Sequence, residues 1–234
     1  MNPNLKNERG QKATSRRVLL LGTAALTFLP ASAYSQANLD ARGMTFRDFA
    51  VLDQGSSFHR VDPMIGSGAV PTQARVLSVD NDRGFARIRF EAIRVEVAMP
   101  LGWQATEDWE RGVGFSSDKR FRLIVWRVDF AYEGVNDAEH YAATKSGAIR
   151  ARRPGVQPQA RKLPDGSFLI VYQNVPAAQG DAERRVVFDL VVPRPGKPKE
   201  GVLMTLGVPA GDADRGLKLM ALLKSSLKVD ASPE

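Results

Sequence analysis

From Phe85 onward the chain alternates apolar and polar residues. Ala86, Ile88, Phe90 and Ala92 are interleaved with Arg87, Arg89 and Glu91; Ile93, Val95, Val97 and Met99 are interleaved with Arg94, Glu96 and Ala98. A period of two places one set on a dry face and the other on a wet face, so both segments are predicted strands. The parity switches between Ala92 and Ile93, which predicts a bulge or bend there. The segment RFRLIVWRVDF has Ile124, Trp126, Val128 and Phe130 on one face and Phe121, Leu123 and Val125 on the other, the pattern of a central strand covered on both sides. SFLIVYQ from Ser167, RVVFDLVVP from Arg185 and GVLMTLGVP from Gly201 read as three further strands. The Pro/Gly-rich RPGKPKEG between the last two suits a hairpin loop.

Two helices interrupt the strands. Asn136-Asp137 can cap one through Ile149, with Ala138, Tyr141, Ala142, Ala148 and Ile149 on one side. Asp212 or Asp214 can cap a second through Leu227, with Leu219, Met220, Leu223 and Leu227 inward and Lys218, Lys224 and Ser225 outward. Strands, helix, three strands and a helix make an α+β arrangement of antiparallel sheet flanked by helices, one domain over residues 73–229 followed by a tail, 230–234. Residues 38–72 form an irregular N-terminal extension wrapped on that domain, with a short strand near Phe49.

The first 37 residues follow another logic. Lys6, Arg9, Lys12, Arg16 and Arg17 precede an apolar run of 12 residues, Val18 to Leu29, that Pro30 ends. A membrane span needs about 20 apolar residues. Small residues at Ala31, Ala33, Ser35 and Ala37 offer cleavage sites, so the segment reads as a cleaved export signal. Arg16-Arg17 before Val18-Leu19-Leu20 resembles the twin-arginine variety, although Leu19 stands where Phe is common; the ordinary secretion route stays open. A periplasmic, soluble mature protein is expected.

The signal changes the charge argument. The chain carries 33 bases and 26 acids, a net of +7 that would invite a nucleic-acid reading. Without the first 37 residues, which hold five bases and one acid, 28 bases and 25 acids remain, an ordinary soluble surface. The absence of cysteine excludes disulfides, a thiol nucleophile and Cys-ligated zinc or iron–sulfur clusters.

Two stretches resemble a known family. VEVAMPLGWQATED (Val95 to Asp108), with its Pro-x-Gly-Trp turn, is similar to the opening strand of the PsbP family; GVLMTLGVP and a helix ending LLKSSLKV are similar to that family's last strand and final helix. The resemblance spans roughly Ile93 to Val229 and implies a PsbP-like α/β/α sandwich. PsbP proteins are extrinsic lumenal subunits of photosystem II, and the fold recurs in Ran-binding Mog proteins and in exported bacterial proteins. It implies a binding or assembly module; the family's metal and docking residues have no matching positions here.

The chemistry candidates are few. A Ser-His-Asp enzyme would need His59, near Asp62 and Ser56-Ser57, or His140, near Asp137 and Glu139. A hydrolase or metal-dependent enzyme built on either is the alternative reading, with small-ligand binding between sheet and helix as another. Asp80, Asp82 and Glu91 fall at EF-hand positions, but the sixth position is Phe85 rather than Gly, so Asn81–Gly84 reads as a hairpin turn. Gly66, Gly68, Gly112 and Gly114 read as loop glycines, and no motif calls for a cofactor. RARRPGVQPQARK gathers Arg150, Arg152, Arg153, Arg161 and Lys162 on a solvated loop that could dock an acidic surface on an envelope protein or complex, with at most peripheral membrane contact. Without interleaved aromatics it does not suit nucleic acid. Trp109, among Glu107, Asp108, Glu110 and Arg111, suits a contact anchor; Trp103 reads as a structural turn residue.

Overall fold

The structure, a computed structural model, describes residues 39–51, 60–61, 74–177 and 183–230. Residues 1–37, read from the sequence as an export signal, and His59, Gly66 and Gly68 lie outside the described residues. In chain order the described elements are β1 (Arg60–Val61), β2 (Arg75–Asp80), β3 (Phe85–Phe90), β4 (Val95–Pro100), β5 (Gln104–Glu107), β6 (Arg111–Phe115), β7 (Arg122–Asp129), α1 (Ala138–Arg152), β8 (Gln157–Lys162), β9 (Phe168–Val175), β10 (Arg185–Arg194), β11 (Lys197–Pro209), α2 (Ala213–Ser226) and β12 (Lys228–Val229). Short 3-10 turns, Phe46–Phe49 and Ala210–Asp212, complete the list.

A large sheet runs β1-β5-β6-β7-β11-β10-β9-β8, antiparallel except for the two-residue parallel pair β1 and β5. A small antiparallel sheet runs β12-β4-β3-β2. The four strands expected to share a sheet do so: β7, β11, β10 and β9 are consecutive neighbours. One face of the large sheet packs Leu123, Val125, Leu169, Phe188, Met204 and Leu206 against the small sheet and against Leu219, Met220 and Leu223 of α2. The other packs Val128, Phe130, Ile170, Tyr172, Val191 and Leu203 against Ala138 and Ala142 of α1. A large apolar side chain contributes roughly 1.5–3 kcal/mol when fully buried, so these two cores are the main favourable term.

Local chemistry explains the junctions. In the Pro-x-Gly-Trp turn Gly102 sits at φ +79°, and a Cβ there would lie 1.4 Å from the Val51 carbonyl oxygen. Trp103 then turns inward, fully buried, and its indole Nε1 donates to the Phe49 carbonyl at 3.0 Å. That ties Phe46–Phe49 to the core, with a 3-10 turn where a short strand near Phe49 was expected. At the other end of the chain the Ala98 amide donates to Ser226 Oγ at 2.9 Å, and β12 pairs with β4, so the SSLKV ending fastens α2 to the small sheet.

Four further expectations are corrected. The parity switch at Ala92 and Ile93 is a tight turn from β3 to β4, with Arg94 at φ 56°, because Phe90 already pairs with Val95. Gly112 and Gly114 lie within β6, where a Cβ would come within 2.5 Å of the Phe90 ring and 2.6 Å of Met99 Sδ respectively; the missing side chains let the small sheet sit on the large one. Four strands rather than three separate the helices, because Gln157–Lys162 is β8, the edge of the large sheet. An edge tolerates Pro158, which has no N–H to give. RPGKPKEG is mostly strand, with β10 reaching Arg194 and β11 starting at Lys197.

Candidate protein-binding surface

Two aromatic side chains stand out of the protein, Trp109 at 67% exposure and Tyr132 at 90%. Trp109 occupies the turn between β5 and β6. Asp108 Oδ1 accepts from the Glu110 amide at 2.9 Å and the Arg111 amide at 2.8 Å, and Arg111 Nε donates to Oδ2 at 2.9 Å. Tyr132 follows β7 in a turn of the same kind, where Asp129 Oδ1 accepts from the Ala131 amide at 2.9 Å and the Tyr132 amide at 3.2 Å. An aspartate that closes its own turn fixes the backbone beneath each aromatic. Since Arg111 pairs with Trp126, and β7 ends three residues later at Asp129, the two turns leave neighbouring strands at the same end of the large sheet.

The surroundings of this end are charged. Arg127 Nη2 donates to Glu200 at 2.9 Å and Arg194 Nη1 to the same carboxylate at 2.6 Å. The Arg111 guanidinium stacks over the Trp126 ring at 5.0 Å. Glu107, one of the polar residues around Trp109, is buried: its carboxylate accepts from the Glu91 amide at 3.0 Å and the Ala92 amide at 2.8 Å, bolting the β3–β4 turn to β5. Burial pushes its carboxyl pKa up against the pull of those amides. Its place in strand QATE, with Ala105 also inward, was the available signal.

The basic residues do not form one loop. Arg150 and Arg152 are exposed in the last turn of α1 and Arg153 is its C-terminal cap. α1 begins just after the Tyr132 turn and its 15 residues carry those arginines away from that turn, by about 20 Å at 1.5 Å per residue. Arg161 and Lys162 lie on β8 and point to opposite faces, Arg161 paired with Leu169 and Lys162 with Phe168. Arg161 is half-buried, its Nε and Nη2 have no hydrogen-bond partner, and burial lowers its pKa. Lys162 Nζ lies 3.4 Å from Glu139 on α1 and 5.5 Å from the Phe168 ring centre.

His140 is exposed in the first turn of α1, where its amide donates to the capping carboxylate of Asp137 at 2.8 Å. Among the described residues no group of three or more His, Cys, Asp or Glu is arranged to hold a metal ion. Between the large sheet and α1 lies a buried polar knot not anticipated from the sequence. Thr205 Oγ1 donates to Asp189 at 2.5 Å, and Lys145 Nζ lies 3.5 Å from the same buried carboxylate. Tyr141 is beside it, its pKa pushed up to about 12 by burial and then by Glu133 and Asp189. The signal was an acid at an inward position of RVVFDLVVP, between Val187 and Val191.

The chain is therefore an α+β protein, mostly antiparallel sheet with a helix on each face of the larger one. Among solved structures it is similar to the Ran-binding protein Mog1p of Saccharomyces cerevisiae, at 12% identity and a TM-score of 0.44, over 62% of this chain and 95% of that one. It is also similar to cyanobacterial PsbP (CyanoP) from Synechocystis, at 14% identity and a TM-score of 0.43, over 63% of this chain and 93% of that one. Both likenesses are of fold, and the second is to the family that the Pro-x-Gly-Trp turn and the SSLKV ending resemble. No protein-family model matches the sequence, and no curated protein does.

Proposed function

We propose that this protein is an exported, non-catalytic module that binds a protein of the cell envelope through the end of the large sheet where Trp109 and Tyr132 stand. The observation that carries this reading is the pair of exposed aromatics, each held by an aspartate-closed turn on adjacent strands. Large rings presented on a fixed backbone lose little conformational freedom on binding, and such residues dominate binding energy at protein interfaces. Arg150, Arg152 and Arg153 form a separate basic corner at the far end of α1, and this corner steers an acidic partner rather than anchoring it. Arg161 and Lys162, on opposite faces of β8, stand apart from this corner. No described helix is long and apolar enough to cross a membrane.

A partner captured from periplasmic extract and identified by mass spectrometry supplies the assay. Trp109→Ala and Tyr132→Ala should each raise the dissociation rate roughly tenfold or more, the scale of a lost anchor. Arg152→Glu with Arg153→Glu should slow association and flatten its salt dependence, with the thermal midpoint nearly unchanged. Wild-type dissociation from both aromatic variants would move the interface elsewhere. Arg16→Lys with Arg17→Lys should hold precursor in the cytoplasm if the twin-arginine route is used; normal export leaves the ordinary route.

A further inference from the structure

β2 is the edge of the small sheet, and among the described residues no strand pairs with its outer side. Among the strands whose side chains are described it is also the least covered: Val76, Leu77 and Val79 are 37%, 41% and 38% exposed. An open edge with three large apolar residues in six is a template for another strand, which soluble proteins usually blunt with lysine or proline. β2 has neither. An open groove bordered by Ser78, Val79, Asp82 and Arg87 runs beside it.

The register with β3 decides which strand fits. Val76 pairs with Ile88 and Val79 with Ala86, both core residues of β3, whereas Arg75, Ser78 and Asp80 pair with Arg89, Arg87 and Phe85. A shift between Val76 and Ser78 makes this possible. In a regular strand residues three apart face opposite ways; the bulge at Leu77 puts Val76 and Val79 on the inner face, and Arg75 and Asp80 on the outer.

We propose that β2 pairs antiparallel with β2 of a second copy about a two-fold axis between Leu77 and Ser78. In that register Arg75 faces Asp80 of the other copy, twice over, on the outer face, and Val76 faces Val79 on the inner face. Opposite charges and paired β-branched residues are the favoured cross-strand neighbours. An isologous interface needs a surface complementary to itself, and RVLSVD read against its own reverse is so only because the bulge corrects the parity. The charged ends are in place already: the Arg75 side chain is 66% exposed and held by Glu91, and Asp80 is fixed by accepting the Arg83 amide at 2.8 Å. The inner faces of the two small sheets become one eight-stranded surface.

Sedimentation velocity of the full chain across micromolar concentrations tests the pairing. The wild type should show a reversible monomer–dimer equilibrium. Arg75→Asp places two acids opposite each other and Asp80→Arg two bases, so each variant alone should dimerise at least about tenfold more weakly, given the cost of opposed like charges. An equimolar mixture should dimerise like the wild type. In the mixed dimer the introduced acid of one variant meets the introduced base of the other, and the unaltered Arg75 meets the unaltered Asp80. A folding defect cannot produce that recovery. Val79→Lys leaves the charges and the Asp80 turn intact and should also be monomeric, with its thermal transition retained. A wild-type monomer at every concentration, variants that dimerise unaided, or a mixture of folded variants that stays monomeric would each overturn the proposal, as would capture of a different protein on β2 by a monomeric chain.

Discussion

Gly102 shows how one residue sets the course of the chain. Its φ of +79° lies in the left-handed region, and the place of its missing Cβ is taken by the Val51 carbonyl oxygen at 1.4 Å. The turn it makes sends Trp103 into the core and brings Phe49 under the indole. Gly102→Ala should therefore lower stability by at least about 1 kcal/mol, since alanine cannot adopt this backbone without strain and the extension must also move. The check is a denaturant midpoint; an unchanged midpoint would mean that residues 46–51 are not seated on this turn. Glu107 and Trp109 make a complementary point two positions apart. Strand parity sends the glutamate inward onto two backbone amides and leaves the indole in the turn beyond. Both stand in one polar stretch, and alternation from Ala105 distinguishes them.

At the scale of elements, legibility followed the strength of the apolar pattern. α2 carries Leu219, Met220 and Leu223 on one stripe, all fully buried, and its sequence announced it. Leu223→Ala should cost roughly 2–5 kcal/mol, the range for deleting a fully buried leucine side chain. A loss well below about 1 kcal/mol in thermal or denaturant unfolding would show that α2 is not clamped between β4 and the large sheet. α1 was legible by its Asp137 cap more than by its stripe, because the residues it buries, Ala138, Ala142 and Ser146, are small. β8 was not legible at all. Gln157–Lys162 has no apolar period; it is a strand because β9 offers it a free ladder and an edge asks nothing of its outer side. β6 was hidden for the opposite reason: Gly112 and Gly114 look like a loop until Phe90 and Met99 occupy the space above them. Both cases are tertiary context overriding local preference. The candidate site was half legible: Trp109 was singled out in the sequence, but only pairing of β6 with β7 brings its turn and that of Tyr132 to one end, and only α1 separates them from Arg150, Arg152 and Arg153.

Across the whole molecule, the end that presents the aromatics is also where carboxylates and guanidinium groups close the two sheets and the C-terminal strand together. Arg89 reaches Asp230, Glu96 and Glu91, and Asp230 follows β12 directly. The hydrogen bond from Arg89 holds the Asp230 carboxyl below its ordinary value of 3.8. At Glu91 burial works upward, but Arg75 and Arg89 outweigh it and the net shift is down; at Glu200 burial is likewise outweighed by Arg194 and Arg127. A carboxylate whose folded pKa is depressed binds fewer protons folded than unfolded. Its stabilisation is therefore present above the unfolded value and is lost as pH falls through the folded one. Glu107 has the opposite sign: burial raises its pKa, so its share is full at low pH and declines as pH rises through the raised value. The three depressed groups outnumber it, so the thermal midpoint should hold near neutrality and fall once pH drops below about 4, where free carboxylates titrate. Asp230→Asn should flatten part of that fall while lowering the midpoint at pH 7, because the amide keeps the shape but loses the charge that Arg89 pairs with. Scanning calorimetry of both proteins from neutral to acid pH separates the outcomes. If the variant and the wild type fall in parallel, Arg89 and Asp230 do not clamp β12 to the small sheet, and the acid response belongs to other carboxylates.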